Sequence, residues 1–179
     1  MNTTHKKIQN EELNRISVDE FKATAKTPII VVLDNIRSLN NIGSVFRTAD
    51  SFVLEAIYLC GITAQPPHRE IQKTALGATE SVNWKYFTTT EEAVANLKQD
   101  GYKIASIEQT ENSVMLNDYN TNKDEKLAVV FGNEVKGVEQ SVIDQSDVVI
   151  EIPQHGTKHS LNISVSAGIV IWDLFQKMQ

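Results

Sequence analysis

Six short apolar runs, near residues 29–33, 56–61, 82–87, 103–108, 127–131 and 148–152, alternate along this chain with stretches of helical periodicity. A continuous apolar run bounded by turn residues suits a strand buried on both faces, and strands separated by helices need crossovers instead of hairpins. The pattern predicts an α/β fold, a mainly parallel six-stranded sheet with helices on both faces. Local signals mark several element ends. Ser17 and Glu20 form a capping-box pattern that opens a helix around Val18 to Ala25. Thr89 and Glu92 do the same for a helix over Ala93 to Lys98, with Gly101 as its stop. Pro66-Pro67 marks a rigid loop, and no repeat, low-complexity tract or linker divides the 179 residues, which suffice for one domain with its own core.

Three strand-to-helix turns are dense in donors and acceptors. After the run Ile29 to Leu33, the segment Asn35 to Asp50 reads as a polar turn and a helix capped by Asn41. On that helix Ile42, Val45, Phe46, Ala49, Phe52 and Val53 form an apolar stripe, and Arg47 falls opposite its middle. Arg47 is thus either a solvated surface group or a guanidinium offered, beside Asn41, to a phosphate or a reacting oxygen. The second turn, Phe131-Gly-Asn-Glu-Val-Lys-Gly-Val138, breaks a strand at glycine and sets Glu134 beside bare backbone. No Lys-Ser or Lys-Thr follows Gly137, so it is not a Walker loop, and no dinucleotide glycine fingerprint occurs.

The third turn follows Val148 to Ile152. Pro153 ends the strand, Gly156 lets the chain turn, and Asn162 is placed to cap a helix with Val165, Ile169, Trp172 and Phe175 at helical spacing. Between them lie Thr157, Lys158, His159 and Ser160. His155 and His159 are four residues apart, but Gly156 makes the segment a loop and no third ligand accompanies them, so no metal site is expected.

Taken in order, the three turns resemble the signature motifs of the SpoU/TrmH family of RNA ribose methyltransferases, within the SPOUT superfamily. The resemblance runs from about Pro28 to Asp173, through Leu76-Gly-Ala-Thr-Glu-Ser-Val82 as well. It implies a methyltransferase domain over 28–179, preceded by an extension over 1–27 with one helix, and a C-terminal trefoil knot. It also implies S-adenosylmethionine as cofactor, held by strand ends at Ile107, Glu108, Gly132, Ile152, Ser160 and Leu161. Methyl transfer to a ribose 2′-hydroxyl would be assigned to Arg47, assisted by Asn41, Glu134, Ser160 and Asn162. The family's habit of pairing knotted domains implies a homodimer. The short extension favours transfer RNA over ribosomal RNA as substrate; a non-catalytic RNA-binding protein of the same fold is the alternative from another class.

Charge neither demands nor excludes this. The net charge is −6, whereas RNA-binding proteins usually carry a basic face. The cations nevertheless gather in or near the polar turns, and Arg37, Arg69, Lys73, Lys136 and Lys158 are the expected RNA contacts, forming a local basic patch on an acidic protein. The single cysteine, Cys60, sits in an apolar run and reads as core, as do Trp84 and Trp172. A lone cysteine excludes an intramolecular disulfide, the polar start lacks an apolar leader core, and no run reaches the ~18 apolar residues of a membrane span, so a cytoplasmic protein is expected.

Overall fold

The computed structural model describes residues 5–179. The first four residues of the expected extension lie outside the described residues. Among the described residues seven strands, β1 (Thr27–Asp34), β2 (Leu54–Cys60), β3 (Asn83–Phe87), β4 (Lys103–Ile107), β5 (Val114–Met115), β6 (Leu127–Phe131) and β7 (Val148–Glu151), form one sheet in the order β3-β2-β1-β6-β4-β7-β5. Every pairing is parallel. The sheet therefore has one strand more than the six expected. The addition, β5, pairs Val114 with Ile150 and Met115 with Glu151, and both its residues are exposed, so no apolar run announces it.

Burial explains why the central strands were legible. In β6 every residue is buried, and β1 is buried from Ile29 to Asp34, as central strands covered on both faces must be. Alternate residues feed two cores. Ile29, Val31, Leu33 and Val129 pack beneath α2 (Leu39–Ser51) and α7 (Ile163–Lys177), with α1 (Val18–Ala23), α3 (Arg69–Ala75) and α4 (Ala78–Ser81) on the same side. Ile30, Val32, Ala128 and Val130 face α5 (Thr90–Gln99) and α6 (Gln140–Ile143). The capping box at Ser17 and Glu20 forms, and Thr89 Oγ1 accepts from Glu92 N, so α5 starts three residues earlier than its apolar positions indicated. Cys60 is buried, and desolvation pushes its thiol up to about 12, against a smaller opposing hydrogen bond from Thr90.

The C-terminal helix corrects the sequence reading. Its sheet-facing side is Ile163, Ala167, Val170, Ile171 and Leu174, while Val165, Ile169 and Trp172 are 49%, 39% and 52% exposed. Trp172 is thus not core; it lies over Phe52, the residue that follows α2, and beside Phe175, with ring centroids 5.8 and 6.5 Å away. Because α7 is apolar on two sides, periodicity could not tell which stripe meets the sheet. Trp84 is half-buried at the edge of the same core. At its far end α7 is tied to the segment after β5, where Lys177 Nζ donates to the Leu116 carbonyl at 2.6 Å.

Candidate active site

The strand order reverses between β1 and β6, and the loops leaving their carboxyl ends meet there, which is where open α/β sheets form ligand crevices. The helix α2 that follows β1 is capped by Ser38, whose Oγ accepts from Asn41 N at 3.3 Å, and not by Asn41 as expected. Asn41 is instead buried inside the first turn and donates from Nδ2 to Glu134 Oε1 at 3.4 Å. The Glu134 carboxylate also accepts from Arg37 N at 3.1 Å and Ser38 N at 3.0 Å. It occupies the positive end of the α2 dipole across 96 or more residues of sequence. Burial pushes the Glu134 carboxyl upward, but the amides of Arg37 and Ser38 and the Asn41 side chain outweigh it and hold the pKa below the ordinary glutamate value.

The loop carrying Glu134 is a small closed structure. Asn133 and Gly137 exchange two backbone hydrogen bonds of 2.9 Å, and Asn133 Oδ1 accepts from Val135 N and Lys136 N at 2.9 and 3.1 Å. The side-chain amide of Asn133 then donates to the Asn35 carbonyl at 2.7 Å, pinning the loop to the β1–α2 turn. Gly132 must lack a side chain, because a Cβ there would stand 2.1 Å from Gly137 C and Val138 N.

Beside this loop lies a cavity of about 340 Å³. Its walls are the ends of β4, β6 and β7 and the start of α7. Ile107, Glu108, Gly132, Ile152, Ser160 and Leu161 all line it, as do Asn133, Glu134, Asn162 and His159. Asn162 caps α7 as the sequence indicated, its Oδ1 accepting from Ser164 N at 2.9 Å. Arg47 does not line the cavity; it is exposed on α2, six residues beyond Asn41 or about 9 Å along the helix axis. Among the described residues its guanidinium has no hydrogen bond or ion pair. Arg37, Arg69, Lys73, Lys136 and Lys158 are exposed outside the cavity, Arg69 and Lys73 on α3 and the others in loops, and Lys73 is paired with Glu70 at 2.8 Å.

Several positioning groups escaped the sequence reading. Asp34, fully buried at the end of β1, accepts from Glu139 N at 3.0 Å, from Asn35 Nδ2 at 2.9 Å and from the Thr90 hydroxyl. Thr63 Oγ1 bridges Leu33 O and Ile36 N at 3.0 and 2.9 Å. An acid closing an apolar run, followed by asparagine, is the one signal in the sequence that singles out Asp34-Asn35.

A parallel α/β sheet with a cavity over the carboxyl ends of its strands defines a ligand-binding domain of the doubly wound class. The profile of the SpoU rRNA methylase family matches residues 28–172, and the chain belongs to that family. It is similar to an uncharacterized tRNA/rRNA methyltransferase of Borreliella burgdorferi, 29% identical over 96% of this chain and 73% of the relative. A second relative is the 23S rRNA (guanosine-2′-O-)-methyltransferase RlmB of Neisseria meningitidis, 29% identical over 86% of this chain and 60% of that one. The fold is shared with the crystal structure of an AdoMet-bound rRNA methyltransferase from Sinorhizobium meliloti, with TM-score 0.79 and 22% identity over 89% of this chain and 60% of that one. The chain thus spans less than two thirds of the Neisseria and Sinorhizobium proteins.

Proposed function

We propose that the protein transfers a methyl group from S-adenosylmethionine to a ribose 2′-hydroxyl of RNA, with transfer RNA favoured over ribosomal RNA. The carrying observation is that one cavity gathers residues from separate polar turns while Glu134 on its wall holds Asn41 and the start of the helix bearing Arg47. The cavity suits the cofactor: Ile107, Ile152 and Leu161 offer apolar contact, Gly132 exposes backbone, and Ser160 and Asn162 add polar groups. S-adenosylmethionine would supply an electrophilic methyl group there. The backbone at Glu108 completes the binding set in this reading.

Within the site Arg47 binds the phosphate next to the target ribose and orients its hydroxyl, because an arginine stays protonated in proteins and acts through its charge and fork of donors. Asn41 fixes the ribose side, Glu134 holds Asn41, and Ser160 and Asn162 line the reacting region. Most of the rate gain is placement of the hydroxyl against the methyl. Arg37, Arg69, Lys73, Lys136 and Lys158 contact RNA phosphates.

The same reading takes residues 28–179 as the methyltransferase domain with a C-terminal trefoil knot, 1–27 as an extension, and a cytoplasmic homodimer joined through the exposed stripe of α7. Among the described residues no helix is long and apolar enough to cross a membrane. Isothermal titration with S-adenosylmethionine tests the core of the proposal. Saturable one-site binding is expected, and its absence refutes it. A non-catalytic RNA-binding protein of this fold would bind RNA without any cofactor turnover.

A further inference from the structure

The loop from Gly132 to Val138 is gripped by two carboxylates, only one of which is its own. Glu134 reaches outward to Arg37 N and Ser38 N at 3.1 and 3.0 Å. Glu108, just past β4, reaches inward: its Oε2 accepts from Val138 N at 3.1 Å and its Oε1 from Gln109 N at 2.8 Å. Gly137 completes the fit, with a φ of +72° and with space for no Cβ, which would stand 2.1 Å from Glu108 Oε2. Glu108 borders the cavity, yet both of its oxygens are engaged by backbone donors. Two donors facing one side chain require a carboxylate, since a glutamine would turn its own N–H2 group toward one of them.

We infer that Glu108 is a positioning residue whose carboxylate clamps the 132–138 loop from the β4 side, so that Glu134 stays on the start of α2 and sets Asn41 and the Arg47 helix relative to the cavity. This rests on the proposed reading of the cavity and α2 as two halves of one methyl-transfer site. The loop links the two grips covalently, and its internal bridge at Asn133 and Gly137, with the Asn133 side chain held on the Asn35 carbonyl, makes it stiff enough to transmit a displacement. A cofactor ligand would act differently: its loss would weaken cofactor binding and leave turnover intact at saturation.

The test uses the full chain and the variants Glu108→Gln, Glu134→Gln and their combination. In Glu108→Gln, amide exchange at Val138 should rise about tenfold through loss of a charged hydrogen bond. Exchange at Arg37 and Ser38, which Glu108 does not touch, should rise with it. Turnover at saturating cofactor and RNA should fall by up to about 10²-fold, as small misplacements at reacting centres do. Cofactor affinity by calorimetry should fall far less, and the double variant should be no slower than Glu134→Gln alone. Unchanged exchange at Arg37 and Ser38, multiplicative losses in the double variant, or normal turnover at saturation would each overturn the clamp. Should Glu108→Gln unfold, protection at the central-strand amides of Val129 and Val130 would vanish too. Glu108→Asp, which keeps both acceptors on a shorter stem, then carries the same comparison. If the wild type methylates no RNA, the proposed function fails, while the exchange measurements still decide the clamp.

Discussion

Under the proposed methyl transfer, Arg47 supplies charge at the reacting centre and Glu134 places the helix that bears it. Arg47 is exposed, and among the described residues its guanidinium has no hydrogen bond or ion pair, so Arg47→Ala should leave the fold and cofactor affinity near wild type. Methyl transfer should drop about 10²–10³-fold, the usual cost of removing an electrostatic group from a reacting centre. Near-normal turnover in that variant would remove Arg47 from the mechanism. For Glu134 the sign follows from its depressed pKa: the stabilisation is fully present above the unfolded value, near 4.5, and is lost as pH falls through the lower folded value. Glu134→Gln should therefore melt below wild type at neutral pH, and the gap should close as pH drops below about 4.5. A gap independent of pH would show that the Glu134 charge does not hold α2. The exposure of Arg47 was legible because it stands off an apolar stripe. That Asn41 is a buried partner of Glu134 was not legible, since a contact spanning 93 residues leaves no local trace.

The elements that periodicity resolved are those whose burial is one-sided or complete. The fully buried β6 and the capped α5 were readable, whereas β5, a two-residue exposed strand, was not. In α7 both stripes are apolar, so only packing shows that Ile163, Ala167, Val170, Ile171 and Leu174 face the sheet. The leftover stripe of Val165, Ile169 and Trp172 makes a testable demand at this scale. Under the homodimer proposal, wild type should give a dimeric mass by light scattering at micromolar concentration. The pair Val165→Lys and Ile169→Lys should give a folded monomer, because two buried like charges on an isologous face oppose each other across the two-fold axis. A monomeric wild type in an active preparation would contradict the dimer, and a variant that remains dimeric would place the interface elsewhere.

For the molecule as a whole, an acidic chain of net charge −6 must engage RNA through a local patch if it engages RNA at all. The affinity for RNA should then fall with salt along a shallow slope, corresponding to roughly two to five neutralised phosphates. Lys158→Ala should reduce that slope by about one unit. Lys73→Ala should reduce it less, because Glu70 already pairs with that ammonium. Cofactor binding in the cavity should scarcely respond to potassium chloride. An affinity indifferent to salt would move the RNA surface away from these loops.

Methyl transfer to ribose is tested by supplying the protein with methyl-labelled S-adenosylmethionine and separate pools of transfer and ribosomal RNA, then digesting the RNA and identifying labelled nucleosides by mass spectrometry. Label is expected on a 2′-O-methylated nucleoside, in transfer RNA first, and should disappear with Arg47→Ala. Label on a base, or no label in either pool from a preparation that binds the cofactor, would contradict it.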